Sequence, residues 1–504
     1  MALAACCVAL LALAGASAAA SAAASGPVLP TSDPFYSFSG SLAGVAPGTI
    51  LRQRQIGLVD FNVTMPFRST QVLYRTTGEL GQPTATVATI IQPLVSTSSK
   101  IVSYQMAYDA LGPQCDPSYT LQGGMPAGGT TNTAEEQLVA GLVVAGFTVV
   151  VPDYEGTALD WAAGQEEGYN TLDGIRATEN LLKLPSSTLV GMVGYSGGSI
   201  ATEFASELAS SYGPALDIVG VAEGGIPVDF EHNLSYINGS PSWSSVIPAV
   251  LVSLARAFHV DMKPYLSAYG LQLTNKVQSE CIANFIGNWP GLTYQKLLKP
   301  AFQNIYSIPA FVRISNELIM GRGGTPREPV LMGVGNADGT GDGVMVYKDV
   351  EALAHGYCQR GVPVELNVYA GDEHTQAAVA FLPAATLFLT ERLNGLPATN
   401  GCSSIPAGNA LTPVPAAPQL VFRSGGYRAK LHGVVVWLRT TTGTMTGITI
   451  KLTRGRVRAS RTLSRLTTKR RRLVLRVAHA GRYTLSVSWN GVPQLTRRVR
   501  IRKL

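Results

Sequence analysis

Short, unbroken apolar runs alternate with helical segments through the middle of this sequence. The runs occupy residues 147–152, 189–194, 329–334 and 364–369. A strand that is covered on both faces has no polar face, so such runs are typical of a parallel sheet. Helical patterns lie between them, as at residues 134–146 and 172–182. This alternation predicts an α/β fold with a doubly wound, mostly parallel sheet.

Residues 228–310 interrupt this alternation of strand and helix patterns. They combine several prolines with helical pieces and show no strand pattern. Large insertions of this kind in a compact domain are commonly covers over an active site. We therefore predict a helical cap inserted at about 228–310, and an ordinary pair of core helices is the alternative.

The first 25 residues carry no charged side chain. An apolar run at residues 3–15 precedes small residues that include Ala-Ser-Ala and Ala-Ala-Ala, the pattern of a signal peptide and its cleavage site. A membrane anchor is the alternative, although the apolar part is short for a bilayer span. We predict a signal peptide at residues 1–25 and therefore a secreted, extracellular protein, which a surface-binding segment could keep at the cell surface.

Charge is distributed very unevenly along the chain. Residues 420–504 contain 21 Lys and Arg and no Asp or Glu. Subtracting these 21 from the 39 basic residues of the chain leaves 18 against 32 acidic ones, a net charge of −14 for the rest. Such an asymmetry marks a domain boundary. We place a Pro/Ala-rich linker at residues 404–419.

Beyond the linker, short β-rich runs recur between glycine turns, at residues 433–438, 447–452, 472–477 and 483–489. Repeated short strands predict a small, basic, all-β sandwich-like domain at residues 420–504. Its charge is suited to anionic cell-wall polymers, polysaccharides or acidic lipid surfaces. A folding module whose charge only aids solubility is the alternative. Nucleic acid is not an expected partner of an exported protein, and we expect a monomer.

The segment Gly194-Tyr195-Ser196-Gly197-Gly198 lies where a buried strand ends and a helix begins. In that context Gly-x-Ser-x-Gly presents a serine hydroxyl above a sheet, on a turn too tight for bulky neighbours. The helix that follows directs its N-terminal amides towards the place where an oxyanion would form. The motif predicts Ser196 as a nucleophile of an α/β-hydrolase, and a glycine-rich turn without chemistry is the alternative.

A serine nucleophile needs a base and an acid that orients the base. Of six histidines, His374 follows a predicted strand in a short loop before an apolar helix, the position expected of the base. The acid should precede it in the chain and follow a strand. We select Asp338, directly after the run at 329–334, and Asp342 is its rival.

The six cysteines indicate the redox environment of the protein. Cys6 and Cys7 lie in the predicted signal peptide, and four remain: Cys115, Cys281, Cys358 and Cys402. An even number in an exported protein favours two disulfides, in any of three pairings, over four buried thiols. Neither a close Cys-x-x-Cys spacing nor a phosphate-binding or dinucleotide fingerprint occurs, so we predict no metal and no cofactor.

Several segments together resemble the secretory lipase family of fungi and actinobacteria, the family of the yeast lipase A enzymes. The resemblance runs from about Asp33 to Cys402. It rests on Ser-Tyr-Gln-Met-Ala-Tyr-Asp at 103–109, Val-Pro-Asp-Tyr-Glu-Gly at 151–156, Leu-Asp-Gly-Ile-Arg at 172–176, the serine motif and Glu373-His374. Two features depart from the family pattern: Gly339-Thr-Gly341 separates the two candidate aspartates, and the basic segment lies outside it.

The resemblance implies roles that the residues alone do not. Asp109 would match the family's oxyanion-hole residue, with Gly197 supplying a second amide. The disulfides would be Cys115–Cys281 and Cys358–Cys402, and a helical cap would cover an acyl site.

Taken together, residues 26–403 are predicted to form an α/β-hydrolase catalytic domain that acts on ester or lipid substrates. We predict a secreted serine hydrolase, a lipase (triacylglycerol lipase) or carboxylesterase, that works by Ser-Asp-His acyl transfer. An α/β-hydrolase peptidase is one alternative. A surface-binding protein with a degenerate hydrolase body is another.

Overall fold

The computed structural model describes residues 26–501, except for 61–62, 96–98, 128, 130 and 478. The predicted signal peptide at 1–25 therefore lies outside the described residues. Within the described part of the chain, no helix combines the length and the apolar character needed to cross a membrane.

The central sheet is built from most of the strands before residue 371. The described strands in this part are β1 (Ile50–Ile56), β2 (Val59–Asp60), β3 (Val63–Thr64), β4 (Arg68–Thr77), β5 (Pro83–Gln92), β6 (Ile101–Gln105), β7 (Thr148–Pro152), β8 (Leu189–Tyr195), β9 (Asp217–Gly224), β10 (Val330–Asn336) and β11 (Val364–Ala370). Strands β2 and β3 form a separate ribbon, and the others form one sheet in the order β1-β4-β5-β7-β6-β8-β9-β10-β11. Strands β6 to β11 pair in parallel, whereas β1, β4 and β5 run antiparallel to their neighbours. The predicted mostly parallel sheet is confirmed.

Helices cover both faces of this sheet. The described helices are α1 (Pro117–Thr120), α2 (Thr133–Val144), α3 (Gly164–Leu182), α4 (Gly197–Tyr212), α5 (Phe230–Ile237), α6 (Ile247–Ala257), α7 (Ala268–Val277), α8 (Tyr294–Leu297), α9 (Pro309–Glu317), α10 (Tyr347–Gln359) and α11 (His374–Leu393). Apolar side chains of α3, α4 and α10 share one core, and those of α2 and α11 share the other. In α4, Ile200, Phe204 and Leu208 repeat every fourth residue and are all buried in the core that α4 shares with α3.

The segment between β9 and β10 carries helices α5 to α9, and none of the described strands lies there. The helices continue to Glu317, past the predicted end of the cap at about 310. Ser253 and Arg256 of α6 donate hydrogen bonds to backbone carbonyls of the hydrolase body, at Trp161 and Leu111. The segment is thereby attached above the carboxyl ends of the parallel strands, where ligands bind in open α/β sheets.

Two disulfides tie surrounding segments together. Cys115 is joined to Cys281, and Cys358 to Cys402, which are the pairings that the family resemblance implies. The first connects the segment after β6 to the helical insertion, beside a backbone bridge between Ala110 and Cys281. It therefore restrains the insertion next to the loop that carries Asp109.

The C-terminal strands form further antiparallel sheets. They are β12 (Leu420–Arg428), β13 (Gly433–Thr440), β14 (Thr444–Met445), β15 (Ile448–Arg454), β16 (Val457–Leu463), β17 (Leu466–Thr467), β18 (Arg471–Arg476), β19 (Gly481–Trp489) and β20 (Val492–Ile501). Their orders are β12-β13-β18, β16-β15-β19-β20 and β14-β17. The ring of Trp489 packs edge-on against Phe302 of the insertion, with centroids 5.1 Å apart. The predicted C-terminal all-β architecture is confirmed, and its boundaries as a domain stay a prediction.

Buried carboxyl groups lie beneath the start of the insertion. Glu203 and Glu207 of α4 and Glu223 of β9 are all buried, and Tyr357 donates a hydrogen bond to Glu203. Burial raises the pKa of Glu207 and of Glu223 to about 8. Both groups therefore stay protonated in the folded protein at pH values where the unfolded chain has already released these protons.

The stability of the protein is accordingly expected to fall as the pH rises. The contribution of each raised carboxyl is complete below about pH 4.5 and is lost as the pH rises through about 8. Each group lowers the free energy of unfolding by up to about 1.4 kcal/mol per pH unit inside that window. Urea unfolding of the wild type and of Glu223→Gln at pH 5, 6.5 and 8 checks this. The variant should show the shallower decline, and parallel declines would contradict the assignment.

Candidate active site

Ser196 occupies a strained turn between β8 and α4. Its backbone has φ 56° and ψ −123°, a conformation that side-chain-bearing residues rarely adopt. The amide of Ser196 donates to the carbonyl of Gly224 at 2.9 Å, which anchors the turn to the end of the neighbouring strand β9. The hydroxyl therefore projects above the sheet, at the N-terminus of α4.

Glycine is required on the helix side of this turn because another loop passes very close. A Cβ atom on Gly197 would lie 1.6 Å from Oδ1 of Asp109. One on Gly198 would lie 2.0 Å from the carbonyl oxygen of Gln105, the last residue of β6. Both distances are far below the van der Waals contact distance. The glycines therefore let the end of β6 and the loop after it approach Ser196.

Gly197→Ala should therefore displace the Asp109 loop. We expect kcat to fall by about 10²–10³, the effect of losing one oxyanion donor, with a smaller change in KM. Hydrolysis of p-nitrophenyl butyrate measures this. Gly141→Ala is the control, because Gly141 lies on the exposed side of α2 with nothing within 4 Å of an added Cβ. Equal activities of the two variants would contradict the prediction.

Three side chains form a continuous chain of hydrogen bonds. Nε2 of His374 lies 2.7 Å from Oγ of Ser196, and Nδ1 of His374 lies 2.8 Å from Oδ2 of Asp342. His374 is 4% exposed and Asp342 is fully buried. The other oxygen of Asp342 accepts from the amides of Val344 and Met345 at 3.0 and 2.7 Å. The carboxylate is thus held in one orientation while it accepts from the ring.

The structure contradicts the selection of Asp338 as the partner of His374. Asp338 is exposed, and its carboxylate accepts from Tyr236 and from the amides of Thr340 and Gly341 at 2.8–3.0 Å. After β10 the chain doubles back through Gly339, whose φ is 84°. This reversal leaves the first aspartate on the surface and returns the second, Asp342, to the start of α11.

The loop after β6 is held by two buried glutamates on either side of Asp109. Glu135 accepts from the amide of Ala107 at 2.9 Å, and Glu155 accepts from the amide of Ala110 at 3.1 Å. Asp109 itself has φ 40° and is buried, which raises the pKa of its carboxyl to about 7. Two anchored amides therefore maintain the strained loop conformation that places Asp109 beside Gly197.

Two cavities meet at Ser196. One extends into the helical insertion and is lined almost wholly by apolar side chains, among them Leu234, Ile247, Val250 and Met320. The other runs along α11 past Ala378, Val379 and Leu382. Both are bordered by Ser196, Asp109, Trp243 and Ile282. A substrate with its carbonyl at Ser196 could thus place one part in each cavity.

Similarity to known proteins agrees with this geometry. The family model for secretory lipases matches residues 121–401, more than half of the chain. The chain belongs to the secretory lipase family. The family resemblance noted in the sequence is therefore confirmed, and so is the enzyme class, a carboxylic ester hydrolase.

Individual relatives cover most of the hydrolase part of this secretory lipase. Lipase A of Arthroderma benhamiae is 33% identical over 75% of this chain and 82% of its own length. A protein of Mycobacterium tuberculosis named probable inactive lipase MT1628 is 31% identical over 74% of this chain and 84% of its own. The crystal structure of Candida antarctica lipase A in its closed state superposes with a TM-score of 0.69 at 27% identity, covering 76% of this chain and 91% of that one.

Sequence reasoning missed several residues of the site in this secretory lipase. The ring of Trp243 stands edge-on to His374 with centroids 5.2 Å apart, and Tyr195 donates to the carbonyl of His374 at 2.7 Å. Glu135 and Glu155 were also missed as supports of the Asp109 loop. Tyr195 and Glu155 carried a signal, since they lie in the quoted serine motif and in the quoted Val-Pro-Asp-Tyr-Glu-Gly segment. Trp243 lies in the proline-rich insertion, where the sequence pattern does not indicate which way a side chain points.

One cluster among the described residues has the composition of a metal site. Asp229, Glu231 and His232 bring ligand atoms within 4.8 Å of one another. However, Asp229 caps α5 by accepting from two backbone amides, and His232 lies 3.0 Å from Asp349 of α10. The hydrogen bond to Asp349 raises the pKa of His232 to about 9, so the ring is a cation at neutral pH. These contacts are those of an ion pair that ties the insertion to the body.

Proposed function

We propose that this secretory lipase is exported and hydrolyses lipid esters by acyl transfer through Ser196, His374 and Asp342. The observation that carries the proposal is the buried hydrogen-bond chain from Asp342 through His374 to Ser196, which opens into apolar cavities. A serine hydroxyl becomes nucleophilic only when a positioned base can accept its proton. A degenerate hydrolase body would be expected to lack one member of that chain.

The first half of the reaction forms an acyl-enzyme. Oγ of Ser196 attacks the ester carbonyl while Nε2 of His374 takes the hydroxyl proton. The backbone amides of Asp109 and Gly197 hold the oxyanion, whose charge develops as the carbonyl becomes tetrahedral. As the intermediate collapses, the C–O bond to the alcohol breaks, and His374 gives the proton to the leaving oxygen.

The second half releases the acid. Water attacks the acyl carbonyl, and His374 takes one of its protons. The bond to Ser196 then breaks, and the proton returns to Oγ. Throughout, the carboxylate of Asp342 keeps the imidazole in the tautomer with a free Nε2 and stabilises the imidazolium that forms. The charges that develop during the reaction stay on the reacting groups, so the apolar cavities receive only uncharged parts of the substrate.

The apolar cavity inside the insertion is suited to the acyl chain. Burying each CH₂ group there is worth about 0.8 kcal/mol, so long chains gain affinity from it. A chain-length series of p-nitrophenyl esters tests the proposal on the mature protein. Rising kcat/KM with chain length supports a lipase, and a maximum at short chains supports a carboxylesterase. A folded protein that cleaves no ester would overturn both, and peptide substrates would then be tried.

Leu234→Trp should identify the acyl cavity. The larger ring would fill part of the space beside Ser196 within the insertion, so kcat/KM for a hexadecanoyl ester should fall about 10-fold or more while that for a butanoyl ester changes little. Val379→Trp, which enlarges a side chain of the other cavity, is the matched control. The reverse pattern would assign the acyl chain to the cavity along α11.

We also propose that residues 1–25 direct export, that the protein is a monomer, and that the basic C-terminal strands hold it on anionic material outside the cell. Membership of a secretory family supports export, and the charge of residues 420–504 supports attachment to anionic material. Amino-terminal sequencing of the protein recovered from culture medium tests export, because a mature terminus near residue 26 is expected. An intact residue 1 in a cell-bound form would contradict it.

A further inference from the structure

One surface of the C-terminal strands is built from hydroxyl and basic side chains, with Pro493 opposite Ser488 as the exception. In β19, Tyr483, Leu485, Val487 and Trp489 are buried, so the residues between them point to the opposite side of the sheet. The register of β16, β15, β19 and β20 shows which side chains share that outer side. We call it the outer face, and it comprises Thr449, Lys451, Thr453, Arg458, Ser460, Thr462, Arg482, Thr484, Ser486, Ser488, Thr496, Arg498 and Arg500.

The pairing arranges these side chains in rows across the sheet. One row runs Arg458, Thr453, Thr484 and Arg498, and the next runs Ser460, Lys451, Ser486 and Thr496. Neighbouring strands are about 4.8 Å apart, and successive outward residues of one strand are about 7 Å apart. The result is a flat lattice of donors in which hydroxyls occupy the centre and arginines occupy one end.

The arginines at that end are expected to destabilise the sheet. Arg482 lies directly opposite Arg500 on the neighbouring strand. Like charges in opposed positions destabilise a sheet. No Asp or Glu occurs anywhere in residues 420–504 to offset them. A ligand that brings negative charge to this position would relieve the repulsion.

The chemistry of the outer face selects among anionic ligands. Arginine binds phosphate and carboxylate through paired hydrogen bonds, and serine and threonine hydroxyls add neutral donors. An acidic bilayer is less suited, because membrane-surface proteins insert apolar side chains, and no large apolar side chain described in residues 420–501 is exposed. No aromatic residue lies on the outer face, so recognition is directed to charge and not to the flat side of a sugar ring.

We propose that the outer face binds an extended, hydroxyl-bearing cell-wall polymer that carries a phosphate or carboxylate group in each repeat. This rests on the proposed tethering role of the basic strands and assigns it to one surface. Anionic groups repeated along a polymer can meet several points of the lattice at once, which raises avidity without any single strong contact. The hydrolase body would thus be held at the wall with its catalytic residues unaffected.

The test compares two full-length variants with the same loss of charge. Arg482→Gln/Arg498→Gln/Arg500→Gln removes three cations from the outer face. Lys469→Gln/Arg470→Gln/Arg471→Gln removes three from the end of the loop before β18 and the first residue of that strand. Binding is measured at low and moderate salt to polyphosphate, to polygalacturonate, to phosphatidylglycerol vesicles and to duplex DNA. Hydrolysis of a soluble p-nitrophenyl ester and the melting temperature are recorded for each protein.

We expect the outer-face variant to lose about 10-fold or more in affinity for the preferred polymer and the loop variant less than about 3-fold. Preference for polyphosphate or for polygalacturonate identifies the anionic group. Equal losses would overturn the assignment to the outer face, as would tighter binding to vesicles or DNA than to either polymer. Absence of polymer binding by the wild type would overturn the tether itself. Retained ester hydrolysis in the same samples would show that the proposed catalytic function stands independently.

Discussion

Replacing Ser196 by alanine is expected to lower kcat for a soluble p-nitrophenyl ester by about 10⁶. In the proposed mechanism the hydroxyl forms the covalent bond to the acyl group, so His374 and the Asp109 loop have no nucleophile to assist once it is gone. Only the weak assistance of bound donors to direct attack by water would remain. Steady-state hydrolysis of the butanoyl ester, with the enzyme concentration raised for the variant, measures the loss.

The substitution also has a control for folding. Ser196 lies in a strained conformation with its backbone anchored at Gly224, and alanine keeps the Cβ atom and the amide. The melting temperature should therefore stay close to that of the wild type. An active-site titrant such as a fluorophosphonate should label the wild type and not the variant. A folded variant that retains activity within about 100-fold of the wild type would require a different nucleophile.

Asp342→Asn is expected to lower kcat by about 10⁴, whereas Asp338→Asn should leave it within about 3-fold of the wild type. The amide at position 342 can present its NH₂ group to Nδ1 of His374, which stabilises the tautomer whose proton is on Nε2 and cannot take one from Ser196. Position 338 only accepts hydrogen bonds from Tyr236 and two amides of its own loop.

The pair is a matched test, because both variants remove one charge from the same loop. kcat is measured for both variants and the wild type under the same conditions. A larger loss in Asp338→Asn than in Asp342→Asn would mean that the loop after β10 adopts a different arrangement when substrate is bound.

Much of the architecture could be predicted from sequence because it depends on local patterns. The unbroken apolar runs of β7, β8 and β10 indicate strands covered on both faces, whatever lies beside them. The serine motif is recognisable because side chains are excluded at Gly194 by the carbonyl of Gly198, and at Gly198 by the carbonyl of Gln105. His374 could be selected because the chain order of the catalytic residues is constrained by the fold.

Tertiary structure decided which aspartate pairs with His374. Asp338 and Asp342 both follow β10, and their distance along the chain does not reveal that the loop reverses at Gly339. The direction of a side chain after such a reversal depends on contacts made far along the sequence, here with Tyr236 in the insertion and with the start of α11.

The same reason explains the supports of the Asp109 loop and the outer face of the C-terminal sheet. Glu135 and Glu155 are ordinary acidic residues until the fold buries them beside the amides of Ala107 and Ala110. The excess of basic residues at 420–504 is visible in the sequence, but the pairing register of four strands puts Arg482 opposite Arg500 and gathers the hydroxyls on the same face. Sequence by itself determined the fold and the choice of Ser196 and His374 as candidate nucleophile and base, because strand and turn preferences act over a few residues. Only the tertiary structure decided which aspartate pairs with His374, the loop supports and the arrangement of surface charge, since these depend on which distant segments meet.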